Sequence, residues 1–459
     1  MRLSLVLALA AVSCSSPPPE TVAVGDKNTF AQAPGGTYIN WEEHLIDDEE
    51  ASGGIPLRGA DGLKMGDLDQ DGKLDIVAAH EDSGHIRVSY AEDEPDDWFR
   101  LSLAEGDEAA GVEDVAIADF NGDGWLDVIA ACEKAHLIYL QNPAREEHGF
   151  RWERVIPNVT TGRDAWIRVF FADFDGDGQP EVVATNKGAS DGLADGPKRQ
   201  ISWFEAGDDP LDPDGWQEHE MATLQNPINS QPVDLDGDGD LDVFGGVRGE
   251  KRLMWFENVT DGGEISFEPH TVEQDSDATG FNLDFEDLNG DGRLDVVAAT
   301  ARGEFSWLEQ PESPEDEWRI HEIGPMTPDT ATGFVLADID GDGDSDLMAG
   351  SYSGGERLED EEDRTANDDL GRIAWFQNPG DPDAGWTRHD IVRRKRGMFD
   401  SFVARDMDGD GDVDFVATRG NSGDNDGVFW LEQQRSNQPV KVFWPAREND
   451  SQAMPLPGE

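Results

Sequence analysis

Seven stretches of this chain set carboxylates at one fixed spacing, Asp-x-Asp/Asn-x-Asp-Gly-x-x-Asp/Glu. The side chains at positions 1, 3, 5 and 9 are Asp67, Asp69, Asp71 and Asp75 in the first loop, and Asp119, Asn121, Asp123 and Asp127 in the second. The third holds Asp173, Asp175, Asp177 and Glu181, and the fourth Asp234, Asp236, Asp238 and Asp242. The fifth holds Asp287, Asn289, Asp291 and Asp295, and the sixth Asp338, Asp340, Asp342 and Asp346. Asp406, Asp408, Asp410 and Asp414 complete the set. Hard oxygen ligands on a tightly turning backbone suit Ca²⁺, which takes six to eight of them in a flexible shell. Gly at position 6, from Gly72 to Gly411, permits the sharp turn. A carbonyl at position 7 and the acid at position 9 would complete most of the shell, so up to seven structural Ca²⁺ are expected.

An EF-hand begins the same way but needs a bidentate Glu at position 12 and flanking helices. Position 12 here is Ala78, Ala130, Ala184, Gly245, Ala298, Ala349 and Ala417, none of which can coordinate. Short apolar runs such as Ile76-Val77-Ala78 follow each loop and read as buried strands. The loop therefore joins two strands. In this respect the chain resembles the FG-GAP/VCBS repeat family over roughly residues 37–434. That resemblance implies strand–calcium loop–strand units built into a β-propeller, as in the integrin α-subunit head. It leaves function open, because the repeat serves adhesins, lectins and polysaccharide lyases alike.

Successive loops start 52, 54, 61, 53, 51 and 68 residues apart, a period that fits one multi-stranded blade per loop. A third strand carries an aromatic pair or its relative, as in Trp203-Phe204, Trp255-Phe256, Trp307-Leu308, Trp375-Phe376 and Trp430-Leu431. A fourth carries an aromatic and often a histidine: His219, His270, His321 and His389. The fourth-strand pattern also occurs once before any loop, at Ile39-Asn-Trp41-Glu-Glu-His44, and is missing after the last third strand. The count balances when the N-terminal strand completes the last blade. The expected fold is an all-β, seven-bladed propeller of four-stranded blades, closed by that strand as a 1+3 clasp, which pairs otherwise exposed edges. The fourth-strand histidines fall on different blades and read as scaffold, and the third-strand tryptophans as inter-blade packing.

The chain has 100 acidic and 35 basic residues, a formal charge of −65. Seven divalent cations would offset only a small part of this. Such a surface suits salty water and argues against nucleic acid or an anionic membrane as partner. Residues 1–13 read as an export signal, with Arg2 before an apolar run from Leu3 to Val12. Ala11-Val12-Ser13-Cys14 resembles the lipobox of bacterial lipoproteins, which would make Cys14 a lipidated first residue. Ser15 is similar to signals that lead to an outer membrane; plain secretion with a chance cysteine is the alternative. Residues 14–36 then read as a flexible tether, 37–434 as the propeller and 435–459 as a tail. Cys132 has apolar neighbours and reads as an inert core thiol. The expected molecule is a monomer at the cell surface, touching membrane only through its lipid.

Strand alternation puts all seven acidic loops on one face and the longest insertions, Asn186–Gln200, Ser351–Arg372 and Arg419–Gly427, on the other. Long loops on a rigid ring are where recognition is usual. The same face collects Arg58, Arg163, Arg168, Lys187, Arg248, Arg252, Arg302 and Arg419. With Trp166 and Asp114 they form a candidate site for an acidic glycan or another carboxylated ligand, making the protein lectin- or adhesin-like. A surface protein is the other partner expected. The strongest basic run, Arg393-Arg-Lys-Arg396, is expected to pair with the acidic insertion Glu359-Asp-Glu-Glu-Asp363. The alternatives are a non-binding scaffold and a polysaccharide lyase. In the lyase, His80 and His136 would approach across a blade junction as base and partner, beside Arg163 or Arg168.

Overall fold

The computed structural model describes residues 22–146, 148–188, 197–274, 278–300, 303–353, 364–381 and 384–458. These form antiparallel strands joined by turns and short 3₁₀ segments, with no α-helix among the described residues. Seven sheets repeat one order, in which each strand pairs with the next along the chain. Blade 1 comprises Ala60–Gly66, Asp75–His80, His85–Ala91 and Trp98–Glu105; blade 2, Val112–Ala118, Asp127–Cys132, Leu137–Gln141 and Glu153–Val155. Blade 3 comprises Trp166–Ala172, Glu181–Asn186, Arg199–Glu205 and Gln217–Leu224; blade 4, Gln231–Val233, Asp242–Val247, Arg252–Asn258 and Phe267–Gln274. Blade 5 comprises Ala278–Glu286, Asp295–Thr300, Glu304–Glu309 and Arg319–Pro325; blade 6, Thr330–Ala337, Asp346–Tyr352, Gly371–Gln377 and Thr387–Arg394. In blade 7, Phe402–Arg405, Asp414–Arg419 and Gly427–Ser436 are completed by the N-terminal strand Tyr38–Asp48. The 1+3 clasp is therefore real: Tyr38 pairs with Ser436 and His44 with Trp430.

The first strand of each blade lies innermost and meets its counterparts around the central channel. Hydrophobic clusters fill the seven junctions between neighbouring blades, one at each. Second strands are buried on both faces, which is why they read as unbroken apolar runs. Trp203, Trp255, Trp307, Trp375 and Trp430 are all buried, so the third-strand tryptophans are core and not a sugar-stacking row. On five of them an outer-strand histidine lies flat: His219 on Trp203, His270 on Trp255, His321 on Trp307, His389 on Trp375 and His44 on Trp430. Nε2 of each then meets the side chain two residues beyond its tryptophan, as with Glu257 at 2.9 Å and Glu309 at 2.7 Å.

One expectation about the ends is corrected. Residues 22–36 are not a free tether in the structure. Val24 and Ala31 are buried, and the Thr29 amide donates to the Val440 carbonyl at 2.8 Å. The tail also docks, since Phe443–Trp444 runs parallel to Tyr38–Asp48 and makes the seventh sheet five-stranded. Both segments carry apolar residues that find a home only on the completed ring, which composition alone does not reveal. The export signal and Cys14 lie outside the described residues.

Candidate metal loops and the opposite face

Each acidic loop joins an innermost strand to a second strand, so all seven open on one face. Their carboxylates share a division of labour. At positions 3 and 5, Oδ1 accepts from the amide two residues on, and Oδ2 is not tied to the backbone. In the third loop Asp173 Oδ2 accepts from the Gly178 amide (2.9 Å), Asp175 Oδ1 from Asp177 (3.1 Å) and Asp177 Oδ1 from Gln179 (2.8 Å). Oxygens of Asp173, Asp175 and Asp177 lie within 4.8 Å of one another, as do those of Asp67, Asp69 and Asp71. Oδ1 of Asp67, Asp119 and Asp234 is buried without any hydrogen-bond partner. An orphaned buried carboxylate oxygen is costly unless something cationic meets it, and a hard divalent ion fits this donor set.

The acid at position 9 has a second duty that the motif does not announce. Asp414 accepts from the Met407 and Gln433 amides, both at 2.8 Å, and Asp242 from Leu235 (3.1 Å) and Asn258 (2.7 Å). It thus latches the loop to the end of the third strand. Burial, reinforced by the neighbouring loop carboxylates, pushes Asp346 up to about 8 and Asp75, Asp295 and Asp414 up to about 7. Glu181 is pushed up to about 7 by the same causes. A cation in the loop would relieve both effects.

The latch residue of the third strand carries an amide three places after its aromatic. Asn142 Nδ2 donates to the Leu68 carbonyl at 2.8 Å, Asn258 to Phe174 at 2.8 Å and Gln310 to Leu235 at 2.7 Å. Each therefore secures the loop of the preceding blade. Sequence reasoning missed these residues, although the recurring Asn142, Asn258, Gln310, Asn378 and Gln433 were a visible signal.

The cationic mouth is mostly closed by acids. Arg163 is held by Glu218 and Gln200 and stands 5.0 Å from the Trp166 ring, which is fully buried. Lys187 meets Glu133 at 2.9 Å, and Arg419 meets Asp450 at 2.9 Å. Arg58 and Arg252 pair with Glu49 and Glu250, each at 2.6 Å. Arg302 lies outside the described residues. What does converge is a group at the channel. Arg168 reaches from blade 3 to Asn282 of blade 5 (2.6 Å), with Asp114 at 3.8 Å. Arg168 lies 4.1 Å and Arg248 5.9 Å from the Phe281 ring. Arg248 is exposed, and its guanidinium makes no hydrogen bond or ion pair among the described residues.

Two members of the basic run pair with acids other than those of the expected insertion. Arg393 is fully buried and grips Asp329 through two bonds, at 2.8 and 2.7 Å, and Arg394 grips Glu43 at 3.0 and 2.9 Å. Residues 359–363 lie outside the described residues.

His80 and His136 do not form a pair. His80 is fully buried on the side of blade 1 that faces blade 7, beside Arg87, and neither ring nitrogen has a hydrogen-bond partner. His136 sits 3.1 Å from the Glu108 carbonyl at the junction of blades 1 and 2. Burial, with the charges of Arg87 and His85, holds the His80 ring down to about 3. The buried Arg87–Asp47 pair (2.9 Å) occupies the same junction. An unfolded chain protonates this ring near its ordinary value of about 6.5, whereas the folded chain does not. Its contribution to stability is therefore present above about 6.5 and is lost as pH falls towards 3, by up to about 1.4 kcal/mol per pH unit. Urea midpoints measured from pH 7 to 4 should fall more steeply for the wild type than for His80→Gln; parallel curves would refute the assignment. Cys132 is likewise enclosed, its thiol pushed up to about 12 by burial.

A ring of seven antiparallel blades, each with an acidic loop between its first two strands, defines a seven-bladed β-propeller. The description "FG-GAP-like repeat" matches residues 67–130, 119–184, 234–298 and 287–349, which together make just over half of the chain. The chain belongs to that family. No curated protein matches the sequence. Among solved structures it is similar to "BBS1N in complex with ARL6DN, soaked with lead", at 10% identity over 88% of this chain and 98% of that one, with a TM-score of 0.45. The same complex soaked with mercury gives 10% identity, 87% and 98% coverage, and a TM-score of 0.46.

Proposed function

We propose that this protein is an exported, calcium-stapled interaction module that holds an anionic ligand, an acidic glycan, on the face opposite its acidic loops. The calcium reading is supported by the converging loop carboxylates, and by the Oδ1 atoms of Asp119 and Asp234, buried without a partner. The lipobox-like Cys14 supports a place at the cell surface. The observation that carries the ligand reading is Arg248. In a chain with nearly three acids per base, its exposed guanidinium feels the charge of Asp400 but makes no hydrogen bond or close ion pair with a described carboxylate, and it shares Phe281 with Arg168. A uronate or sulfate would supply the missing anion through charge-assisted hydrogen bonds, and a sugar face would cover the ring.

The test is a glycan array of the calcium-loaded protein at two salt concentrations, with Arg248→Ala and Arg163→Ala beside the wild type. Salt-sensitive binding to uronate-rich or sulfated glycans is expected. It should fall roughly tenfold or more in Arg248→Ala, as befits loss of a charged hydrogen bond, and change little in Arg163→Ala. A blank array, or binding to neutral sugars indifferent to Arg248, would reject the reading.

A further inference from the structure

We propose that the first acidic loop is closed by the protein's own cationic and donor groups and takes no calcium, while other loops of the ring do. The inference rests on the calcium reading above. In the repeated loop geometry, Oδ2 of positions 3 and 5 is the oxygen not committed to a backbone amide: position 3 uses Oδ1 for the position-5 amide, and position 5 uses Oδ1 for the position-7 amide. In the first loop both of these oxygens are already taken. His148 Nε2 stands 2.6 Å from Asp69 Oδ2, and Lys73 Nζ stands 3.0 Å from Asp71 Oδ2.

The histidine is not a casual surface contact. It comes from the connection between the third and outer strands of blade 2 and crosses to blade 1. There its ring is stacked on Tyr90 (centroids 4.1 Å apart, planes 14° apart) and on Phe99 (5.0 Å, 28°). Packed against two rings, it is held more firmly than a solvated side chain would be, and Asp69 is only 3% exposed. Gln70 strengthens the closure: it adopts a left-handed backbone (φ 61°), and its Nε2 donates to the Gly124 carbonyl of the second loop at 2.8 Å.

Other loops lack this double closure. In the fifth, Arg293 meets Asp291 alone, and position 3 is Asn289. In the sixth, only the neutral Gln377 amide reaches Asp340. In the fourth, Asp236 is exposed. Asp67 keeps one buried oxygen without a partner, but a calcium ion reaching it would have to displace an ammonium from Asp71 and a stacked imidazole from Asp69. Selectivity among seven similar sequences would then come from residues outside the motif.

Native mass spectrometry of the full chain, equilibrated with millimolar free Ca²⁺, counts the bound ions. The wild type should carry at most six. Asp69→Asn should leave that number unchanged, whereas Asp236→Asn should lower it by one. Lys73→Ala/His148→Phe, which keeps an aromatic ring in the stack but removes both donors, should raise it by one. A wild type carrying seven ions, a loss in Asp69→Asn, or no gain in a folded double variant would overturn the inference. A wild type carrying none would overturn it together with the calcium reading, and an unchanged count of zero across all variants would mark that case.

Discussion

Stripping calcium from the loaded protein is expected to lower its melting temperature by many degrees, with Mg²⁺ restoring it poorly. The reason is electrostatic. Each loop holds up to four carboxylates, and in the third, Asp173, Asp175 and Asp177 bring oxygens within 4.8 Å of one another. Without a cation these charges repel, and the buried position-9 acids are driven towards the protonated state, Asp346 to about 8. A divalent ion that binds only the folded ring adds about 2.7 kcal/mol at a hundredfold excess over its Kd. Several loops acting together would give on the order of 10 kcal/mol. Mg²⁺ demands a near-ideal octahedron and gives up its water reluctantly, so loops that offer six or more oxygens on flexible backbone favour Ca²⁺. Calorimetric melts in Ca²⁺, in EGTA and after adding Mg²⁺ to the stripped protein decide the matter. An unchanged melt after verified metal removal would reject calcium as a staple.

The ring was legible in the sequence because its signals repeat. A loop of fixed spacing and an apolar run after it recur seven times, a tryptophan precedes five of the outer strands, and one surplus outer-strand pattern at Trp41–His44 forces the clasp. Charge was legible only in bulk. Sequence order places Arg163, Lys187 and Arg419 on one face, but not Glu218, Glu133 and Asp450 beside them. With acids so abundant, a basic residue usually pairs closely with one, and Arg248 is informative because Asp400 acts on it only at a distance. The Arg393–Arg394 run misleads for the same reason. A cluster of four cations looks like a surface patch, yet two of its members are among the most enclosed side chains of the protein. The buried amides of Asn142, Asn258 and Gln310 were readable in principle. Their periodicity is as regular as that of the aspartates, but an amide beside a carboxylate motif draws less attention than the carboxylates do.

Arg394→Ala is expected to be among the most destabilising single changes in the molecule. Arg394 ends the outer strand of blade 6 and is 2% exposed as a residue. Its two terminal nitrogens reach Glu43 of the N-terminal strand at 3.0 and 2.9 Å, and one also meets Asp450 of the tail at 2.8 Å. The guanidinium lies 5.3 Å from the Phe443 ring of the added fifth strand. One side chain thus joins three segments that are remote in sequence and that all close the ring. Asp450 in turn meets Arg419, so the network continues into blade 7. Removing the arginine leaves Glu43 buried with a charge that water cannot reach, a defect that typically costs about 3–5 kcal/mol. Arg394→Lys should recover only part of this, because an ammonium cannot reproduce the paired contacts of the guanidinium. Arg388→Ala, which breaks the more accessible pair with Asp390, should cost less than about 1 kcal/mol. Raising the salt to about 1 M shortens the screening length to about 3 Å. That should shrink the Arg388 effect and leave the Arg394 effect largely intact. Urea unfolding of the three variants at low and high salt tests the argument. A loss under about 1 kcal/mol in Arg394→Ala would mean that the clasp is held by strand pairing and the Trp41 core alone.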